Sequence, residues 1–263
     1  MTYKYGLKPV TEQPRLRLGD YLKSGLPTPP ARFGHADLIA PQMFLNDQLG
    51  DCAVAGSIEE VRLLNAERKV TVPFSDSAAL ANYEAIAGYI PGDPMTDYGI
   101  DVHDLYGYRR DFGIADDHGN RHKIVAYAGL TPGDFDELVQ ALYLFTVVGI
   151  GIQVPDYAQA QFNAGGPWDV LLGRHPIEGG HYIPVVARDG DTVDVFTWGG
   201  RIAMTRAFYS TFNTVAVVSF TEEMLIDDKT IDGFERETLL ADLPEFDTGP
   251  VMAKAPKPER PAA

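Results

Sequence analysis

Cysteine occurs once in the 263-residue chain, at Cys52, within Asn46-Asp47-Gln48-Leu49-Gly50-Asp51-Cys52-Ala53-Val54-Ala55. Ala55, Ile58, Val61, Leu63 and Leu64 follow at helical spacing, so a helix is expected from Cys52 to about Arg68, with Asp51 at or beside its N-cap. A thiol in a first helical turn meets unpaired N–H groups and the positive end of the dipole. Both favour thiolate and raise nucleophilicity near neutral pH. The competing reading of a lone cysteine is inert packing, since Cys is among the residue types most often buried. A partner for the thiol stands at His181, which is expected to open an apolar strand behind Gly179 and Gly180. An imidazole there can serve as general base, and the two glycines let a substrate or another backbone approach closely.

The elements that must carry this pair change character halfway along the chain. Residues 1–40 are rich in Pro, Gly and charge, with Leu26-Pro27-Thr28-Pro29-Pro30 enforcing extended backbone. They are expected as an arm laid over the domain surface, with one short helix around Leu18–Ser24. Further helices are expected from Ser75 or Asp76 to about Ile90, from Val102 to Phe112, and from Pro132 to Phe145 with Phe135, Leu138, Leu142 and Phe145 inward. Short β-branched and aromatic runs then read as strands: His122–Ala128, Val147–Val154, His181–Arg188, Thr192–Thr197, Arg201–Thr205 and Val215–Phe220. The class is α+β, with residues 41–221 forming one domain: a helical lobe over about 41–115, an antiparallel β lobe over about 120–221, and a cleft between them. Residues 222–263 are expected as an extension with a helix at Asp232–Leu240 and a Pro- and Ala-rich tail from Pro244, disordered or strapped to a partner.

Composition narrows the partners. A formal net charge of −15 and no Lys/Arg-rich stripe argue against nucleic acid and anionic membranes, because no cationic surface exists to release counterions from phosphate. One Cys excludes an internal disulfide framework and a thiolate zinc cluster. Met1–Arg15 lacks the apolar core of a signal peptide and no run reaches the length of a membrane span, so a cytoplasmic location, or packaging into a virion, is expected. His118 and His122 beside Asp116 and Asp117 have a metal-like spacing, and Asp97, Asp101 and Asp104 form an acidic group. Both read as solvated surface, and no metal or cofactor is expected. His35, His103 and His175 have no assigned role, and Trp168 reads as a core or groove aromatic.

Together these features resemble the papain-like cysteine peptidases, in particular the short, propeptide-less bacterial and phage type with an Asn-Asp-x-x-Gly-Asp-Cys signature. The resemblance covers about Leu45 to Phe220. His181 lies 129 residues after Cys52, close to the family's interval of about 130–150. The resemblance implies Cys52 as nucleophile, His181 as general base and Trp198 as an aromatic shield over the histidine's hydrogen bond. It also implies a groove walled by Asp97-Tyr98-Gly99-Ile100-Asp101 on one side and by Gly179 and Gly180 on the other. Two positions depart from the family pattern. Asn46 stands where a Gln six residues before the nucleophile donates to the oxyanion, with Gln48 as a stand-in. Phe196 stands where an Asn two residues before the Trp orients the histidine, leaving the hydroxyl of Thr197. Asp51 is a third point of friction, since a carboxylate beside the thiol opposes thiolate formation unless it is spent on capping. The implied function is a thiol hydrolase acting on peptide, isopeptide or amide bonds of a peptide or protein substrate. The alternative is a weak or inactive papain-fold structural or binding protein, for example a phage virion or particle component whose arms clasp assembly neighbours. A thiol acyltransferase sharing the dyad is a third reading. No pro-segment of the usual length precedes Cys52, so control by a long inhibitory segment is not expected.

Overall fold

In the computed structural model, which describes residues 3–21, 26–227 and 229–230, the first half of the chain supplies α1 (Leu18–Tyr21), β1 (Arg32–Gly34), α2 (Cys52–Glu67), α3 (Asp76–Ala87) and α4 (Val102–Asp111). The second half supplies β2 (Ile114–Ala115), β3 (Arg121–His122), β4 (Ala126–Gly129), α5 (Phe135–Phe145), β5 (Val148–Pro155), α6 (Ala158–Asn163), β6 (Ile177–Asp189), β7 (Thr192–Thr197), β8 (Gly200–Thr205), α7 (Arg206–Phe212) and β9 (Asn213–Phe220). The main sheet is antiparallel in the order β4-β9-β5-β6-β7-β8, with β1 also pairing to β6, while β2 and β3 form a separate ribbon. This is the α+β class expected, helices first and antiparallel sheet second.

Local chemistry sets the element ends. Ser75 caps α3 by accepting from the Ala78 amide, and Gly88 closes that helix in the left-handed region. Asp101 and Asp134 cap α4 and α5 by accepting backbone N–H groups of the first turn. Gly190 turns β6 into β7, and Trp198-Gly199, both at positive φ, turn β7 into β8. Two consecutive left-handed residues suit the twist of a tight hairpin, but Trp there is strained where Gly is not.

Alternation along the strands divides the interior. Ile183, Val185, Ala216 and Val218 join α5 residues Leu138, Leu142 and Phe145 in one core, while Tyr182, Val215 and Val217 point the other way into a core built on α2, α3 and α4. Between the two lies α2, and its burial exceeds the single apolar stripe expected. Glu59, Glu60, Asn65 and Glu67 are buried with it, Glu59 paired to Arg62 and Glu60 to Arg109.

Other expectations shift. The run His122–Ala128 is not one strand: the chain leaves the small ribbon after His122, donates Ile124 N–H to Arg109 O, and joins the main sheet only at Ala126. Helices α6 and α7 are short and carry no clear apolar period, and they were not expected. The strand holding His181 begins four residues earlier, because Ile177, Gly179 and Gly180 already pair with β5. The expected helix at Asp232–Leu240 and the tail from Pro244 lie outside the described residues. No helix among the described residues is long and apolar enough to cross a membrane.

Candidate active site

Cys52 is the first residue of α2, and the residue is 1% exposed. The loop before it holds Phe44 and Leu45 at positive φ, a conformation that costs about 1–3 kcal/mol for a non-glycine residue and clusters at functional sites. Asp51 occupies the N-cap position, yet its side chain caps nothing. It turns to Asn46, whose Nδ2 donates to Asp51 Oδ1 at 3.2 Å and to Leu49 O at 3.3 Å. Burial pushes the Asp51 carboxyl well above its usual range, which weakens the opposition its charge would offer a thiolate.

His181 reaches the same place from β6. Its Nε2 lies 2.7 Å from Thr197 Oγ1, and the Trp198 ring stacks on the imidazole at 4.7 Å. Thr197 thus places its hydroxyl on Nε2, while Phe196 packs in the core. The other imidazole nitrogen, Nδ1, is buried without a hydrogen-bond partner. Cys52, His181, Asn46, Glu59, Thr197 and Trp198 line one recess of about 20 Å³, room for roughly one water. Gln48 is exposed and does not line it. Of the two oxyanion candidates only Asn46 stands beside Cys52, with both amide protons already engaged.

The groove walls are where the glycines stand, and an extended segment of the same chain lies between them. Leu7 N–H donates to Gly180 O at 3.0 Å, Lys8 N–H to Ile100 O at 3.0 Å, and Ile100 N–H to Gly6 O at 2.7 Å. The segment thus runs antiparallel to the Gly180 wall and parallel to the Ile100 wall. A Cβ on Gly99 would come 2.0 Å from Gly6 O, one on Gly180 2.4 Å from Leu7 O, and one on Gly179 2.8 Å from Tyr5 Cβ. These walls have no side chains because backbone lies directly on them. A Cβ on Gly6 would sit 1.8 Å from Gly50 O, so that residue must be glycine for the segment to lie this deep. Tyr3 stacks on the Trp198 face at 4.6 Å, and Tyr5 donates its phenol to Glu178 at 2.7 Å. Asp97 joins one wall to the loop before Cys52, accepting from Gly50 N–H and from the Tyr83 phenol. A cavity of about 630 Å³ runs along the segment, lined also by Tyr98, Ile152, Gln153 and Thr214.

This arrangement departs from the expectation of an arm laid over the domain surface: residues 3–8 lie between the two glycine-bearing walls. Both reacting groups are buried in this arrangement. Burial pushes the Cys52 thiol up to about 12, against the pull of amide donors from Tyr182, Gly6 and Ala53, and pushes the His181 imidazole down to about 3. Both groups are neutral with the segment in place. Glu59, in the same recess, is raised to about 7 by burial, opposed by Arg62.

Four of the other five histidines are held by acids or carbonyls. His122 sits between Glu223 and Asp116, His175 beside Asp156, His103 against Glu12 O, and His35 faces Glu67. Asp101 is a cap. Among the described residues no group of three His, Cys, Asp or Glu is placed to hold a metal ion. Trp168 is fully buried in the sheet core, donating Nε1–H to Ala158 O. Sequence reasoning missed Gly6, Glu59, Glu60, Arg109 and Tyr182, none of which stands in a recognisable pattern.

No protein-family model matches the chain, and no curated protein matches it by sequence. Solved structures do match. Xylellain, a cysteine protease from Xylella fastidiosa, superposes with a TM-score of 0.62 at 16% identity over 83% of this chain and 96% of its own. Procathepsin B S9 from Trypanosoma congolense gives 0.57 at 12% identity over 83% and 86%. Digestive procathepsin L 3 of Tenebrio molitor larval midgut gives 0.55 at 16% over 82% and 75%. At these identities the shared property is the fold, and that fold is the one of the papain-like cysteine proteases.

Proposed function

We propose that this chain is a thiol hydrolase of peptide or related amide bonds, with Cys52 as nucleophile and His181 as its base, held closed by its own residues 3–8. The observation that carries the reading is the extended peptide backbone in the groove beside Cys52, hydrogen-bonded to Gly180 on one wall and Ile100 on the other. A cleft that binds the backbone of Gly6 and Leu7 on both sides is built to bind any extended peptide. The chain's own segment presents the sulfur with an amide rather than a carbonyl oxygen: the Gly6 N–H faces Cys52, so across the trans Tyr5–Gly6 peptide the Tyr5 oxygen points away, and the Gly6 oxygen is taken by Ile100 N–H.

With the segment displaced, water returns and the burial that holds both groups neutral is relieved, so that thiolate and imidazolium can stabilise each other. Proton transfer from Cys52 to His181 then gives a thiolate. Its sulfur attacks the substrate carbonyl carbon, His181 returns the proton to the departing amine, and water releases the acyl group from sulfur. Thr197 accepts from Nε2–H of the imidazolium and keeps Nδ1 toward the thiol side, a role a hydroxyl fills without a charge.

One observation favours a second reading. Both Asn46 amide protons are engaged within the loop, so an oxyanion donor is not preformed, and a protein that binds peptide without cleaving it would need none. Alkylation of Cys52 by iodoacetamide against pH, in full-length Gly6→Val and in Gly6→Val/His181→Ala, decides whether the dyad exists. The expected result is a limb of fast reaction below the ordinary thiol range of about 8.5 that the histidine substitution removes. A single titration near that value in both proteins sinks the hydrolase reading and leaves the peptide-binding one.

A further inference from the structure

Helix α2 presents Cys52, Gly56 and Glu60 at successive four-residue intervals on one face, and a single residue of β6 touches all three. The Tyr182 backbone N–H donates to Cys52 Sγ at 3.4 Å. Its ring lies against Gly56 so closely that a Cβ there would be 2.7 Å from the ring. Its phenol donates to Glu60 Oε1 at 2.6 Å. The far end of this clasp is anchored in turn. The Tyr106 phenol stands 2.7 Å from the Tyr182 oxygen, Arg109 pairs with Glu60 Oε2 at 2.7 Å, and Gly149 leaves room where a Cβ would be 1.9 Å from the Tyr182 oxygen. All these groups are buried, so the hydrogen bonds act in a low dielectric where a misplaced partner is costly.

We infer that Tyr182 is a positioning residue for the dyad, fixing the distance of its neighbour His181 from Cys52 by gripping α2 at the sulfur, at Gly56 and, through its phenol, at the Glu60–Arg109 pair. The inference rests on the Cys52–His181 reading above. The geometry explains why a buried ion pair and three glycine or tyrosine contacts converge behind the recess. A buried ion pair is weak support for stability alone and is best retained where it fixes a register, and the register here is that of the strand carrying His181 against the helix carrying Cys52.

The test is the pH profile of Cys52 alkylation by iodoacetamide in the full-length Gly6→Val protein, with and without Tyr182→Phe. The substitution keeps the ring and the backbone donor and removes the phenol's contacts with Glu60 and Tyr106. The expected result is a loss of about tenfold or more in rate near pH 6, where reaction depends on the ion pair, with the rate above pH 9.5 unchanged, where any thiolate reacts. An unchanged profile, or an equal loss at every pH, overturns the inference, since a merely structural role lowers all rates alike. Should Tyr182→Phe fail to fold by circular dichroism, Tyr106→Phe withdraws the support on the Tyr182 oxygen and is read the same way, with a smaller loss confined to low pH expected. A Gly6→Val parent without a low-pH limb contradicts the dyad itself, and the inference falls with it. A parent with the limb and a Tyr182→Phe variant that retains it contradicts the inference alone.

Discussion

Acid should open the groove, and the extent follows from His181. With residues 3–8 in place the imidazole is held down at about 3 by burial; with them displaced, and with no thiolate beside it, it returns toward the ordinary value of about 6.5. A base whose affinity is lowered in the closed form makes that form the weaker proton binder. Closure is therefore complete above about pH 6.5 and is lost progressively as pH falls from there toward 3. Between pH 7 and pH 5 the closed form loses about 25-fold in population relative to the open one, or about 2 kcal/mol. Replacing Cys52 by alanine removes the thiolate that would share a proton with the imidazole in the open form, so the shift of His181 is read in that background. Hydrogen exchange at the amides of Leu7, Lys8 and Ile100, which bridge segment and walls, reads the equilibrium once corrected for intrinsic rates. In Cys52→Ala, where no thiolate can pair with the imidazole, protection is expected to fall about 25-fold between pH 7 and pH 5 and to stay level in Cys52→Ala/His181→Ala. Glu59, raised to about 7, titrates in the same window, and the His181→Ala comparison separates the two. Protection constant with pH, or falling equally without the histidine, refutes the reasoning.

Three further outcomes follow from the same contacts. Tyr3→Ala removes the ring stacked at 4.6 Å on Trp198 and is expected to weaken closure by about 0.5–1.5 kcal/mol, seen as a matching drop in the same amide protection at pH 7. Thr197→Val leaves His181 Nε2 without its partner at 2.7 Å; in the Gly6→Val background it should cost about 10²-fold in peptide hydrolysis, on the scale of losing one positioned donor, with little change in substrate KM. Glu60→Ala strips the partner from Arg109, whose side chain is 2% exposed, and should destabilise the fold by about 3–5 kcal/mol in urea unfolding, whereas Glu60→Gln should cost less.

What the sequence displayed was periodic or punctuated. The stripe from Ala55 to Leu64, the Ser75 and Asp101 caps, the alternation along Thr192–Thr197 and the hairpin turns at Gly190 and Gly199 are local signals, and helices and strands formed where they lie. Partnerships across the chain were not displayed. Nothing about Gly6 states that it will rest against Gly50, and an extended stretch without periodicity reads alike whether it crosses a surface or fills a groove. Buried acids were equally silent: Glu59 and Glu60 in a helix read as a solvated face until Arg62 and Arg109 are known to meet them. Asp51 shows the limit of a local rule, since it sits at the N-cap yet turns its carboxyl to Asn46. Thr197 was visible only as a nearby hydroxyl. Its place on Nε2 depends on the turn at Trp198 and on the register of β6 against β7.

The most direct measurement is cleavage of a mixed peptide pool, read by mass spectrometry at pH 7, by wild type, Gly6→Val and Gly6→Val/Cys52→Ala. The account predicts cleavage by Gly6→Val well above wild type and none when Cys52 is also replaced. Cleavage that persists without Cys52, or a Gly6→Val protein whose groove is open by amide exchange and which cuts nothing, would contradict it.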